Sequence, residues 1–167
     1  METKRQEIIT QCDNQKSKLD ETKPLNILID EAYKIFKKYI DDDTLIFKNK
    51  KIFFNIKMNK YSFREQGFEH IITKDFGKTS IPLYDKNRVI HLPIIEKIIK
   101  QCCNNKCSEL KVFKDKKDIC IWCKRIDFLI ILSERNNGYL LKTAYPVVYT
   151  HKRQSLKRKA NENDLLL

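Results

Sequence analysis

With 167 residues, 41% of them hydrophobic, the chain is large enough for one domain with a real core, and its six cysteines are not needed as staples. Its 34 Lys and Arg against 22 Asp and Glu leave a net charge of +12. That excess attracts polyanions, nucleic acid first, although a Lys-rich solvated surface from an AT-rich coding sequence is the plainer alternative. No apolar run reaches bilayer length and residues 1–23 are polar, so a soluble, cytoplasmic protein with no membrane partner is expected.

Residues 1–24 carry charge and few large apolar groups and close at Pro24, which reads as a flexible or loosely helical arm. From Leu25 onward Leu28, Ala32, Ile35, Phe36 and Tyr39 recur at helical spacing. An amphipathic, core-packing helix is predicted, stopping at Asp41, Asp42 and Asp43. Three successive carboxylates on a short turn point apart and hydrate sooner than they ligate a metal. The β-branched and aromatic runs 45–47 and 52–58 flank Lys48, Asn49, Lys50 and Lys51, the pattern of a hairpin with a basic turn.

His70 then sits between apolar residues, with Lys74 four positions later. An imidazole in such surroundings is either a hydrogen-bonded core residue or a proton-transfer group. Residues 78–86 read as a loop containing Pro82. Beyond it Val89, Ile90, Leu92, Ile94, Ile95, Ile98 and Ile99 predict a helix over 85–101, with Pro93 marking a first turn or a kink. Arg88 and His91 lie at its entrance, where a helix N-terminus and a guanidinium suit a phosphate; the alternative is a plain exposed Arg.

Strands are expected at 110–113, 119–125, 126–132 and 139–147, with Asn136, Asn137 and Gly138 supplying the positive dihedrals of a tight reversal. Helices followed by antiparallel strands make an α+β fold, read as one domain over 25–159 with a disordered tail at 160–167. Along the last strand, alternation puts Tyr139, Leu141, Thr143 and Tyr145 on one face and Leu140, Lys142 and Ala144 on the other. A hydroxyl and a phenol closing that row could hold a phosphate, or could simply meet water at an edge. Lys152, Arg153, Lys157, Arg158 and Lys159 follow, a cluster that either gathers phosphates near that face or belongs to a frayed, solvated helix.

Cys103 and Cys107, then Cys120 and Cys123, have a spacing that a four-thiolate zinc site could use. Against it, the segment around Cys120 and Cys123 lacks glycine and has strand composition. On a strand the two would face opposite sides, leaving buried thiols as the default. No cofactor or metal is therefore expected.

Several segments keep a familiar order: Phe68, Glu69, His70 and Ile71; Asp85 and Arg88 opening an Ile-rich helix through Pro93 and Glu96; residues 128–135; and Leu141, Lys142, Thr143, Ala144, Tyr145, Pro146 and Val147 before a basic tail. Over residues 61–159 this order resembles the phage and polymorphic-toxin RNases of the barnase, EndoU, colicin E5/D and RelE-like (BECR) class, while residues 1–60 match no part of it. The resemblance implies N-terminal helices packed on a curved antiparallel β-sheet and RNA cleavage without metal. It implies a catalytic set of His70, Arg88, Thr143 and Tyr145, with Lys74, His91, Arg125, Lys152 and Arg153 as further basic groups toward the substrate. For a toxin-like nuclease it also implies an acidic inhibitor or immunity protein and delivery into a target-cell cytosol.

The same chemistry is available without the likeness. RNA brings its own nucleophile, the 2′-hydroxyl, so a protein need only move two protons and stabilise charge on the phosphorane. Two rival readings use the same residues: a non-catalytic nucleic-acid-binding module stacking bases on Tyr145, Tyr149 and Trp122, and a zinc-stapled interaction domain.

Overall fold

The computed structural model describes residues 18–78, 81–102 and 109–165. Residues 1–17, the greater part of the expected N-terminal arm, lie outside them, as do Cys103 and Cys107. The remainder of that arm is tied to the domain, because the Leu19 amide donates to the Ile90 carbonyl at 3.0 Å.

Helix α1 (Leu25–Asp41) buries Leu28, Ile29, Ala32, Phe36 and Tyr39, the stripe its periodicity requires. Strands β1 (Ile46–Phe47) and β2 (Lys50–Phe53) pair antiparallel through Lys48 and Asn49, both at positive φ, the geometry of a two-residue hairpin turn. The chain then leaves the sheet for helix α2 (Gln66–Ile72) and a small hairpin of β3 (Thr73–Lys74) with β4 (Leu83–Tyr84). This hairpin stands where a plain loop was expected. Helix α3 (Lys86–His91) is capped by Asp85, whose carboxylate accepts from the Asn87 and Arg88 amides. Pro93, which has no amide hydrogen to give, separates it from α4 (Ile94–Lys97), which continues as a π-helical turn over Ile98–Cys102.

Strands β5 (Leu110–Asp115), β6 (Asp118–Cys123), β7 (Phe128–Arg135) and β8 (Gly138–Pro146) form an antiparallel meander, followed by helix α5 (Thr150–Glu162). The six-stranded sheet runs β1-β2-β8-β7-β6-β5, and β2 lies parallel to β8. The expected all-antiparallel sheet is thus corrected to a curled mixed one within an α+β fold. The reason is topological: β2 and β8 are joined through several helices and strands, and such a long excursion can return the chain in either direction. Gly138 makes the parallel contact possible, since at φ +153° a Cβ there would lie 2.3 Å from the Lys51 carbonyl oxygen.

Two cores use the two faces of the sheet. The larger packs α1 to α4 against Ile119, Ile121, Cys123, Ile130, Leu141 and Ala144. Within it Phe36 meets Phe54 and Phe68 with ring centroids 4.9 and 5.3 Å apart, contacts each worth about 0.5–1.5 kcal/mol beyond burial. The smaller core seats Leu156 and Ala160 of α5 on Phe113, Cys120, Trp122, Leu129 and Val147. A frayed C-terminal helix was one expectation, and the four-residue spacing of Leu156 and Ala160 explains why α5 docks instead. Ion pairs Lys159–Asp115 (2.6 Å) and Arg153–Asp127 (2.7 Å) fix its orientation. The segment expected as a disordered tail stays paired as far as Leu165, whose amide donates to the Val112 carbonyl at 2.8 Å.

Candidate active site

Strand β2 covers β8 only at Tyr139 and Leu140. Beyond that point no described strand pairs with β8 on this side, and α2 and α3 close the gap. Opposite, the register of β7 and β8 slips: Ile131 faces Thr143 while Leu132 faces Leu141, so Lys142 is an extra residue. A bulge of this kind reverses the facing of everything after it. Tyr139 and Leu141 point into the main core, and past the bulge Ala144 does so, whereas Tyr145 packs with the second core. The expected single row of Tyr139, Leu141, Thr143 and Tyr145 is therefore broken between Leu141 and Thr143. Thr143 and Tyr145, two positions apart beyond the slip, remain together.

Helix α2 carries Phe68, Ile71 and Ile72 into the core and leaves His70 half-buried beside β8. The Thr143 hydroxyl donates to the His70 main-chain carbonyl at 3.4 Å, so the strand reaches the backbone of His70 and not its ring. The ring itself stacks on Phe76, with centroids 4.9 Å apart and planes 28° off parallel. Burial, followed by the positive charges of Arg88 and Lys142, holds the imidazole below its ordinary pKa. His70 is then neutral at physiological pH, the form that can accept a proton.

Arg88 is fixed on three sides. Its Nη1 donates to the Thr73 carbonyl at 2.8 Å, its Nε lies 3.9 Å from Asp85 Oδ2, and its guanidinium stacks 4.7 Å from the centre of the Tyr145 ring. Lys74 pairs with the same Asp85 at 3.3 Å, and Lys142 with Asp118 at 2.7 Å. A cleft of about 120 Å³ opens over this group, lined by Lys74, Asp85, Asn87, Arg88, Tyr145, Tyr149 and Lys152 among others. Cationic groups and two phenols thus face one small opening, with a single carboxylate holding two of the cations in place.

Other expected groups lie elsewhere. His91 is buried, its Nδ1–H donating to the Asn87 carbonyl at 2.6 Å and its ring lying 6.4 Å from that of Phe128. It is a satisfied core histidine, because one helical turn separates it from Asn87 and aims it at the sheet. Arg153 is engaged by Asp127 and serves to dock α5. Arg125 lies in the turn between β6 and β7, outside the cleft lining. Trp122, a candidate stacking residue, is fully buried under α5. Cys120 and Cys123 belong to opposite cores, so one metal ion cannot take both without breaking β6. Among the described residues no group of three or more His, Cys, Asp or Glu is arranged to hold a metal.

Four residues in or around this group carried no role in the sequence reading. Lys142, expected on the face away from Leu141, pairs with Asp118, and its charge is one of the two that lower the His70 pKa. Phe76 is an apolar residue in a turn. Asp85 was visible as an acidic residue three positions before Arg88, the usual spacing of a helix cap. Glu69, the neighbour of His70 in the chain, is fully buried, within reach of the Ser62 and Tyr84 hydroxyls but with no well-formed hydrogen bond to either. Burial raises its pKa against the opposing pull of Ser62, Tyr84 and Arg64. Its place among Phe68 and Ile72, on the buried face of α2, was the available signal.

No protein-family model matches the chain, and comparisons with curated proteins and with solved structures likewise find no match.

Proposed function

We propose that the protein is an endoribonuclease that cleaves RNA through attack of the 2′-hydroxyl, leaving a 2′,3′-cyclic phosphate and needing no metal. The observation that carries this reading is the Arg88 guanidinium stacked on Tyr145 in a cationic cleft at the uncovered side of β8, with His70, its pKa lowered by burial and by the charges of Arg88 and Lys142, on the adjoining helix. His70 is assigned the proton transfer, typically worth roughly 10²- to 10⁴-fold in rate. Arg88 clamps the non-bridging phosphate oxygens, the electrostatic contribution that usually dominates. Thr143 ties α2 to β8, and Tyr145 orients the guanidinium by stacking. Lys74 and Lys152 draw the polyanion in, and the first turn of α5 carries no acidic residue to oppose it. The resemblance to the BECR class points the same way. An acidic inhibitor that covers this cleft in the producing cell belongs to the same proposal.

One observation favours the non-catalytic binding module instead: the cleft of Arg88, Tyr145, Tyr149 and Lys152 is complete without His70 in its lining. His70→Ala separates the two. On the nuclease reading His70→Ala binds RNA as tightly as the wild type and cleaves it at least about 10²-fold more slowly. Wild-type protein that binds RNA and never shortens it supports the module.

A further inference from the structure

A second cavity of about 150 Å³ adjoins the cleft, lined by Asn59, Tyr61, Thr73, Lys74, Phe76, Gly77, Pro82 and Leu83. Lys74 borders both openings. The walls of the second are mainly flat and apolar. Tyr61 and Leu83 are 59% and 53% exposed, far more than large apolar groups in a finished core. Two of its polar groups are occupied. The Asn59 carboxamide oxygen accepts the Tyr61 and Ser62 amides, and the Thr73 hydroxyl donates to the Glu69 carbonyl at 2.6 Å. The Lys60 ammonium lies 5.0 Å from the centre of the Tyr61 ring, which adds positive charge at the rim. Phe76 connects this cavity to the candidate catalytic group, for the ring that lines it is the one that stacks on His70.

We infer that this cavity is a nucleobase subsite, taking the base next to the scissile phosphate by stacking against Tyr61 and Phe76 while Lys74 holds the intervening phosphate. The inference rests on the nuclease reading for the position of the scissile bond, and on its own geometry for binding. Three properties select a base of single-stranded RNA. An apolar slot with little hydrogen-bonding capacity to spare accepts any π-face. A lysine shared with a cationic cleft requires an anion one step from that face. The contact of Phe76 with His70 sets the base one ring away from the imidazole. Recognition is therefore tolerant of base identity and demands that a base be present.

The test compares short single-stranded oligoribonucleotides that differ only by an abasic ribose placed on either side of a single cleavable linkage. Binding is followed by fluorescence anisotropy on 2′-deoxy versions and cleavage on the ribose versions, for wild type, Tyr61→Ala and Tyr61→Trp. Tyr61 is an exposed loop residue, so its truncation leaves the core packing alone. Wild type is expected to favour the base-bearing oligomer at one flank by roughly 5- to 100-fold, the range that stacking on an aromatic side chain gives. Tyr61→Ala is expected to lose that preference and Tyr61→Trp to keep it. If no variant cleaves, the nuclease reading has failed and anisotropy alone decides the subsite by the same ratio. Equal base-to-abasic ratios in wild type and Tyr61→Ala, or no preference at either flank in the wild type, overturn the subsite and leave its apolar walls to a protein partner.

Discussion

Arg88 is where stability and chemistry are most closely joined, and Arg88→Met separates the two. Methionine fills much of the same space without charge or hydrogen-bond donors. The lost donor to the Thr73 carbonyl is a charge-assisted bond of about 1.5–3 kcal/mol. The lost stack on Tyr145 is worth about 0.5–2 kcal/mol. The Asp85 pair, 3.9 Å apart and shared with Lys74, adds little. A combined cost of roughly 2–5 kcal/mol lowers Tm by about 4–20 °C for a domain of this size. The chemical loss is of another kind, since removing one oriented cation from a phosphorane costs on the order of 10²–10³ in kcat. Arg88→Lys keeps the charge while losing the planar fork, and is expected to fall between the two. The assay is steady-state cleavage of a fluorogenic RNA well below the Tm of every variant. The same variant also reports on His70. With the neighbouring charge gone, the imidazole pKa rises, so the acid limb of kcat/KM moves to higher pH. A folded Arg88→Met with wild-type kcat/KM and an unmoved acid limb refutes the assignment.

Gly138→Ala places a Cβ on the Lys51 carbonyl and is expected to destabilise by about 2–4 kcal/mol, read by urea denaturation as a lower midpoint with an unchanged slope. Glu69→Gln is expected to stabilise at pH 8 by about 1–3 kcal/mol, because the wild type must bury a charge there. The sign follows from linkage. The folded carboxyl has a pKa above its unfolded value, so folding favours the protonated form and its contribution is lost as pH rises from about 4.5 through the folded pKa. The gain from Glu69→Gln accordingly shrinks toward pH 4, which paired melts at the two pH values measure. Cys120, its thiol pushed up to about 11 mainly by burial, is expected to resist a disulfide reagent at pH 8 in the native state and to react once urea opens the domain. Fast labelling of Cys120 in the native state contradicts its place under α5.

The parts of this fold that were legible in sequence are those set by local spacing. The apolar stripe of Leu28, Ala32, Phe36 and Tyr39 defines a helix without reference to any other segment. The basic stretch Lys48 to Lys51 between two short apolar runs likewise marked a hairpin, although the turn itself is only Lys48 and Asn49 and the second strand runs Lys50–Phe53 rather than 52–58. The strand reading of β6, with Cys120 and Cys123 on opposite faces, followed from period two alone. Parallel pairing of β2 with β8 was not legible, because register between distant segments depends on the whole excursion between them. The bulge at Lys142 was hidden for a related reason: an extra residue exists only relative to the partner strand. That one slip put Tyr145 with the second core and against the Arg88 guanidinium. The two histidines could not be told apart by neighbours in sequence, both lying beside apolar residues. Which becomes a packed core residue is decided by the faces of α2 and α3, and His91 turned inward. The second cavity escaped notice because Tyr61, Phe76 and Leu83 come from three separate turns and strands.

The most direct measurement of the central claim is the chemistry of the RNA ends left after incubation with the purified protein in excess chelator. The account expects 2′,3′-cyclic phosphate ends facing 5′-hydroxyl ends, formed by the wild type and reduced by at least about 10²-fold in His70→Ala. Intact RNA, or cleavage that requires a divalent cation and leaves 5′-phosphates, contradicts it.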